Sequence, residues 1–101
     1  MSWVKEALGA LARGERACVR PRGGSMRGRI EIGQQVTLER ATIDDLAPGD
    51  VALVRWRRGA HLLHLVKAIQ GGRVLMGNNL GQINGWVAGR NVLARVVRVG
   101  E

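Results

Sequence analysis

A serine preceded by two glycines is the residue of this sequence best placed to act as a nucleophile. Ser25 stands in the stretch GGSM, residues 23–26. Glycines before a serine let the backbone turn sharply and let a substrate approach the hydroxyl closely. A serine hydroxyl is a weak nucleophile, so this chemistry also needs a neighbouring base and N–H donors for the oxyanion. Without a base, the stretch is only a turn that contains a small polar residue.

Most side chains that can serve as that base lie in one short run. The chain has two histidines and two lysines, and HLLHLVK contains His61, His64 and Lys67. Alternate side chains of a strand face opposite sides, so His61 and Lys67 share one face and His64 lies on the other. His64 and Lys67 can face the same serine only if a bulge intervenes. A structural role in the core or on the surface is the alternative for His64. Because the histidines fall on opposite faces with no carboxylate near them in sequence, we predict no metal site.

The elements that must position these residues are mostly strands. Residues 2–13 have the apolar spacing of an amphipathic helix, which Ser2 can cap and Gly14 can end. Beyond it, alternation predicts strands, and clusters of Gly, Pro, Asn and Asp predict turns. Residues 78–91 are rich in Asn and Gly and are predicted to be a loop. The six predicted strands cover residues 17–21, 34–40, 51–58, 61–69, 73–77 and 92–100.

These elements predict a mainly β fold, a small coiled β-sheet or partial barrel with a short N-terminal helix. A length of 101 residues suits one small domain, and a hydrophobic content of 46% provides for one core. Phe and Tyr are absent, so the core must consist of Val, Leu, Ile and Ala, which favours β structure. We therefore divide the chain into an amphipathic helix within residues 1–15 and a β domain over residues 16–101.

The formal net charge of +8 comes almost entirely from arginine and raises the question of a nucleic-acid partner. The arginines are scattered and form no basic run of five or more, which favours a solvated basic surface. The densest group is Arg55, Arg57 and Arg58 around Trp56. That group is where a nucleic acid would bind, through charge and base stacking.

Cysteine content and hydropathy predict a soluble, cytoplasmic protein. The lone Cys18 can form neither an internal disulfide nor a cysteine metal cluster, and we expect it to be a small buried hydrophobe. Trp86 is likewise expected in the core. No apolar run reaches the roughly 18–20 residues of a membrane helix, so no membrane span is predicted. No cofactor is predicted, and the sequence does not indicate an oligomeric state.

Taken in order, these stretches resemble the superfamily of signal peptidases and LexA-type self-cleaving repressors, from about residue 20 to the end. GGSM resembles the Gly-x-Ser-Met loop that carries the nucleophile of that family. LAPGDVALV, residues 46–54, resembles its turn with Gly-Asp followed by apolar residues. GNN, residues 77–79, stands where signal peptidases have Gly-Asp-Asn, and the apolar stretch 92–100 resembles the closing strand.

The resemblance implies a serine endopeptidase of the same fold, in which Ser25 is the nucleophile and His64 the general base. Histidine is the base in the endoplasmic-reticulum and archaeal type of signal peptidase. The implied substrate is a protein or peptide, or the chain's own N-terminal segment. The other implied site residues are Gly23, Gly24 and Met26 in the oxyanion loop, Lys67 as an alternative base, and Asn78 or Asn79 as the residue that orients the imidazole.

Two other functions stay open at this point. One is a non-catalytic peptide-binding module with the same fold, which is favoured by Asn78 in place of the usual aspartate and by RGR, residues 27–29, in place of a proline. Failure of Ser25 to react with an acylating phosphonate distinguishes it from a peptidase. The other is a basic nucleic-acid-binding protein, for which binding falls steeply with salt.

Overall fold

The computed structural model describes residues 2–24 and 26–100, which form one α-helix and one antiparallel β-sheet. The seven strands lie in the order β1-β2-β7-β3-β4-β5-β6, so β1 and β6 are open edges and the sheet does not close. The predicted mainly β fold with a short N-terminal helix is confirmed. The elements are α1 (Trp3–Ala12), β1 (Ala17–Val19), β2 (Gln35–Arg40), β3 (Val51–Arg55), β4 (His61–Gln70), β5 (Arg73–Gly77), β6 (Ile83–Ala88) and β7 (Val92–Gly100), with 3-10 turns at Ile43–Asp45, Arg57–Gly59 and Gly89–Asn91.

The helix α1 begins and ends where the sequence predicts. The Ser2 side chain accepts a hydrogen bond from the Val4 N–H at 3.1 Å, which caps the first turn. Gly14 has φ +77, and its N–H and that of the next residue donate to carbonyls of the last turn, as in a Schellman motif. Ala7 and Leu11 are buried against the sheet, and a helix this short depends on such packing. Among the described residues, no helix has the length and apolar character needed to cross a membrane.

Apolar side chains on the two faces of the sheet form two hydrophobic clusters. The first cluster lies beneath α1, and the second lies on the opposite face. Strand β4 contributes to both, because Leu63 and Leu65 belong to the first cluster while Leu62 and Val66 belong to the second. This alternation is what the strand period of two predicts. His64 therefore shares the face of Leu62 and Val66.

The sheet contains a strand that the sequence analysis missed. Residues 78–91, predicted to be a loop, contain β6, which pairs with β5 and forms one edge of the sheet. Gly85 has φ +145, and the ladder between β5 and β6 contains a bulge. Both features interrupt the alternation by which a strand is recognised. The predictions of a loop over residues 78–91 and of six strands are therefore wrong.

Two strands are shorter than predicted. The strand predicted over residues 51–58 ends at Arg55, because the chain then enters a 3-10 turn in which Arg58 has φ +57. That backbone conformation does not fit a strand. The strand predicted over residues 17–21 ends at Val19. The chain leaves the sheet there, two residues earlier than expected, and enters the loop that carries the stretch GGSM, residues 23–26, which we call the glycine loop.

Two side chains predicted to lie in the core are exposed. Cys18 lies between Ala17 and Val19 in β1, and because both neighbours are buried its thiol faces outward. Trp86 lies on the edge strand β6 and is 43% exposed, with the Arg73 guanidinium 6.0 Å from its ring centroid. Both core predictions are wrong. The cause is strand register for the cysteine and the edge position of β6 for the tryptophan.

Candidate active site

A groove of about 250 Å³ opens between α1, the glycine loop and the first half of β4. It is smaller than the roughly 300–1,000 Å³ of small-molecule pockets. Ser25 itself lies outside the described residues, and its role as nucleophile stays a prediction. His64 and residues on either side of Ser25 share this groove, which is lined by Trp3 and Val4, residues 21–23, Met26, Ile30 and residues 61–64.

The glycine loop is anchored by a main-chain turn and by buried side chains. The Arg27 N–H donates to the Gly24 carbonyl at 3.1 Å, and the Ile30 N–H donates to the Met26 carbonyl at 2.8 Å. The side chains of Met26 and Ile30 are buried in the first cluster. Gly23 has φ +98, a conformation that favours glycine. Met26, predicted as an oxyanion-loop residue, therefore also fixes the loop to the core.

Asn79 ties the glycine loop to the turn after β5. Its Nδ2 donates to the Arg27 carbonyl at 2.8 Å. The approach is so close that a Cβ atom at Gly28, where φ is +96, would lie 2.8 Å from that Nδ2. Gly28 is therefore required both by its backbone conformation and by the contact with Asn79. Asn79, predicted to orient the imidazole, here positions the loop.

Asn78 organises the turn between β5 and β6. It is buried, and its Oδ1 accepts hydrogen bonds from the N–H groups of Leu80 at 2.9 Å and Gln82 at 3.0 Å. Its Nδ2 donates to Oε1 of Gln82 at 2.8 Å. These contacts place the Asn78 amide inside its own turn, and they satisfy a buried polar group that would otherwise be costly.

His64 is held by an asparagine that the sequence analysis did not single out. Its Nδ1 lies 2.6 Å from Oδ1 of Asn84. An amide oxygen can only accept a hydrogen bond, so Nδ1 is the donor, and in the neutral ring this leaves Nε2 as the basic nitrogen. In a Ser-His site this tautomer is the one in which Nε2 can take the proton of the serine hydroxyl.

A bulge in β6 brings Asn84 into contact with His64 at a point beyond the end of β5. Strand β5 lies between β4 and β6, but it ends at Gly77, which pairs with Leu65. His64 therefore lies one residue beyond the ladder between β4 and β5. Asn84 is the extra residue that the bulge adds to β6, and bulges of this kind redirect side chains. No local sequence signal marks this contact.

Lys67, the alternative base, lies at a second bulge, in β4. A Cβ atom at Gly77 would lie 2.8 Å from Cε of Lys67 and 2.6 Å from the carbonyl oxygen of Gln82, so the lysine stem runs against Gly77. A bulge does follow His64 in the strand, but Lys67 is not among the described residues that line the groove. Of these two residues, His64 is the one that lines the groove together with Gly23 and Met26.

His61 also lines the groove, and its pKa differs from that of an ordinary histidine. Burial lowers the pKa of His61 below its usual 6.5, and the positive charge of Arg55 lowers it further. Arg55 is the residue that pairs with His61 across the ladder between β3 and β4. The groove wall therefore holds an imidazole that resists protonation next to a permanent positive charge.

The tryptophan of the predicted nucleic-acid site is partly covered. Trp56 packs against the second cluster, and its ring would lie 3.4 Å from a Cβ atom at Gly85. The guanidinium carbon of Arg57 lies 4.9 Å from the ring centroid, a cation–π distance. These contacts cover part of the ring, and they leave less of it for the base stacking that single-stranded nucleic acids require.

Comparison with the models of known protein families and with curated proteins found no match for this chain. The resemblance to signal peptidases and LexA-type repressors accordingly rests on the stretches GGSM, LAPGDVALV and GNN and on the position of His64.

Proposed function

We propose that this chain is a serine endopeptidase in which Ser25 is the nucleophile and His64 the general base. The observation that carries the proposal is the hydrogen bond between His64 and Asn84, at a groove that Gly23 and Met26 also line. That hydrogen bond supports the tautomer in which Nε2 accepts a proton. A histidine with a purely structural role also needs a partner, so the position of His64 in one groove with Gly23 and Met26 is what favours a catalytic role.

In the proposed reaction, Oγ of Ser25 bonds to a peptide carbonyl carbon while its proton passes to Nε2 of His64. When the tetrahedral intermediate collapses, the C–N bond breaks and the amine leaves with that proton. Water then gives a proton to Nε2 and its oxygen bonds to the acyl carbon. Release of the carboxylic acid returns the proton to Ser25. Main-chain N–H groups of the glycine loop stabilise the oxyanion, as the resemblance implies.

Asn84 takes the positioning role in this proposal. Its neutral amide fixes the orientation and the tautomer of His64, as the asparagine of Cys-His-Asn peptidases does for its histidine. A carboxylate stabilises the imidazolium through its negative charge, and a neutral amide does not. We therefore expect a slower reaction than that of a Ser-His-Asp site.

The first half of β4 offers an edge to which an extended substrate can pair. Strand β4 pairs with β3 over residues 61–65 but with β5 only from Leu65 onward. Within the described part of the chain, no strand pairs with residues 61–64 on the side of β5. The same residues line the groove. A peptide that adds there as a strand can place one side chain in the groove.

Labelling with a serine-directed fluorophosphonate tests the proposal. We expect one label, mapped by mass spectrometry to Ser25 and absent from Ser25→Ala. Ser2 is the other serine of the chain, so Ser2→Ala is the matched control and should keep the label. A folded wild-type protein that acquires no label at Ser25 overturns the proposal.

A non-catalytic peptide-binding module is the second candidate function. It is favoured by the neutral partner of His64, because Asn84 provides no charge to support an imidazolium. This candidate predicts no reaction of Ser25 with the phosphonate. It also predicts that Ser25→Ala binds peptides as tightly as the wild type.

A further inference from the structure

The two halves of the chain differ sharply in acidic residues. From residue 51 to residue 100 the sequence has eight Lys or Arg residues and no Asp or Glu. This segment contains five strands, β3 to β7, which make up most of the sheet. Within this segment no carboxylate side chain balances the positive charge, and fields of this kind steer anionic ligands.

Two arginines bring this charge to the groove. Arg22 lines the groove, and Arg55 pairs across the ladder with His61, which also lines it. Both arginines are exposed. Neither forms an ion pair with the described residues, whose ion pairs are Arg13–Glu15, Arg16–Glu39 and Arg95–Glu39.

The remaining lining combines apolar side chains with His61 and His64 and contains no carboxylate among the described residues. Trp3 and Val4 of α1 form one wall, Met26 forms the floor with the first cluster, and Leu62 and Leu63 belong to β4. A cavity that combines apolar side chains with a small number of charged groups at its margin is typical of sites that recognise one side chain and one polar group together.

We infer that the groove selects an extended peptide that has an apolar side chain for the cavity and a carboxylate close to it in sequence. Arg22 and Arg55 bind that carboxylate, and the guanidinium fork suits it because it can form two parallel hydrogen bonds. The inference rests on the proposed function, since the same groove contains His64 and the neighbours of Ser25. It adds the class of substrate, an acidic one, to the proposed reaction.

The test measures peptide binding to Ser25→Ala by fluorescence anisotropy, so that cleavage does not interfere. The probes are dye-labelled peptides that contain one leucine and one glutamate. The glutamate is placed in turn at each of the three positions before the leucine and the three positions after it. Each of these peptides has a control peptide in which glutamine replaces the glutamate. At about 20 mM salt we expect the best glutamate peptide to bind about fivefold more tightly than its glutamine twin. The difference should disappear at about 0.5 M salt, because these charges are exposed and screened.

Substitutions separate the groove from the general positive field. Arg22→Gln and Arg55→Gln should each remove most of the preference for glutamate. Arg90→Gln loses the same charge at an exposed arginine outside the groove and should keep the preference. Equal binding of the glutamate and glutamine peptides, or equal losses in all three variants, overturns the inference.

The outcomes also separate this inference from the proposed peptidase. If the phosphonate labels Ser25 but no peptide shows a preference for glutamate, the substrate class is wrong and the peptidase proposal stands. A preference for glutamate without labelling supports the selectivity of the groove and assigns it to the peptide-binding module. A single-stranded oligonucleotide that displaces the glutamate peptide, and whose own binding requires Arg22, overturns the inference in favour of nucleic acid.

Discussion

Oδ1 of Asn84, on β6, lies 2.6 Å from Nδ1 of His64, on β4. Strand β5 lies between β4 and β6 in the sheet, and the two side chains are in contact just beyond its end. The contact arises because β5 ends at Gly77 and because the bulge in β6 adds one residue at that point. The orientation of the proposed base therefore depends on the geometry of β5 and β6 as well as on β4. Changes at these strands should alter reactivity at Ser25 without touching the histidine.

Substitutions of Asn84 should distinguish the effect of orienting the His64 imidazole from the effect of a negative charge beside it. We expect Asn84→Ala to lower the rate of fluorophosphonate labelling at least tenfold, though less than the ~10⁴-fold upper range of general-base catalysis. Asn84→Asp should label at least as fast as the wild type, because a carboxylate accepts from the same Nδ1–H and stabilises the imidazolium. Asn91→Ala, in a 3-10 turn, is the control. A wild-type labelling rate in Asn84→Ala contradicts the assignment.

The contact between Gly28 and Asn79 can be measured as a difference between two glycine variants. Gly28 and Gly33 both have positive φ, but a Cβ atom at Gly33 would meet nothing within 4 Å. Gly33→Ala should cost about 1–2 kcal/mol of unfolding free energy from backbone conformation alone. Gly28→Ala should cost more in urea unfolding and should also slow labelling, because it displaces the glycine loop. Equal costs with unchanged labelling are incompatible with this role of Asn79.

Gly77 should tolerate no side chain. A Cβ atom there would lie 2.6 Å from the main-chain oxygen of Gln82, so we expect Gly77→Ala to lower the unfolding free energy by about 1–3 kcal/mol. Adding Lys67→Ala should restore little of it, since the carbonyl belongs to the backbone. Gly9→Ala in α1 meets no atom closer than 3.5 Å and should stabilise the protein by about 0.5–1 kcal/mol. Full rescue by Lys67→Ala would place the obstruction at the lysine.

His61 should make stability depend on pH in a defined direction. Its pKa is lowered in the folded protein, so below about 6.5 the unfolded chain takes up a proton more readily than the folded one. The contribution of His61 to stability is therefore complete above about pH 6.5 and is lost as the pH falls through the lowered pKa. The free energy of unfolding should fall less over this range in His61→Gln.

The effect of Arg55 on His61 can be observed directly by proton NMR titration. Arg55→Gln should raise the pKa of His61, but not fully to 6.5, because burial is the larger cause and remains. Arg90→Gln should leave the pKa of His61 unchanged. A pKa that stays the same or falls in Arg55→Gln would show that the two side chains do not interact.

Most of the sheet could be predicted from the sequence, because apolar and polar residues alternate within most strands and this alternation matches which side chains are buried. Residues 61–69 are an example, since their two faces enter the two hydrophobic clusters. Strand β6 could not be predicted, because Gly85 and the bulge remove the alternation. Cys18 is exposed because register with Ala17 and Val19 decides its side of the strand, whereas residue type alone predicts a buried position.

Some residues of the candidate site could likewise be predicted from the sequence, and others could not. The glycine loop and His64 are recognisable by residue type and by their order along the chain. Asn84 is not, because its contact with His64 joins residues that are 20 positions apart and depends on where β5 ends. Asn79 has a polar role that residue type suggests, but only the fold shows that its partner is the Arg27 carbonyl.

The most direct test of the central claim is the rate at which a fluorophosphonate labels Ser25 in the wild type, in His64→Ala and in His61→Ala. Both histidines lie on β4 and line the groove, so His61→Ala controls for loss of an imidazole. We expect His61→Ala to react at close to the wild-type rate and His64→Ala to react about 10²- to 10⁴-fold more slowly. Equal rates in the wild type and His64→Ala, or no labelling of Ser25 from about pH 6 to 9, would contradict the account.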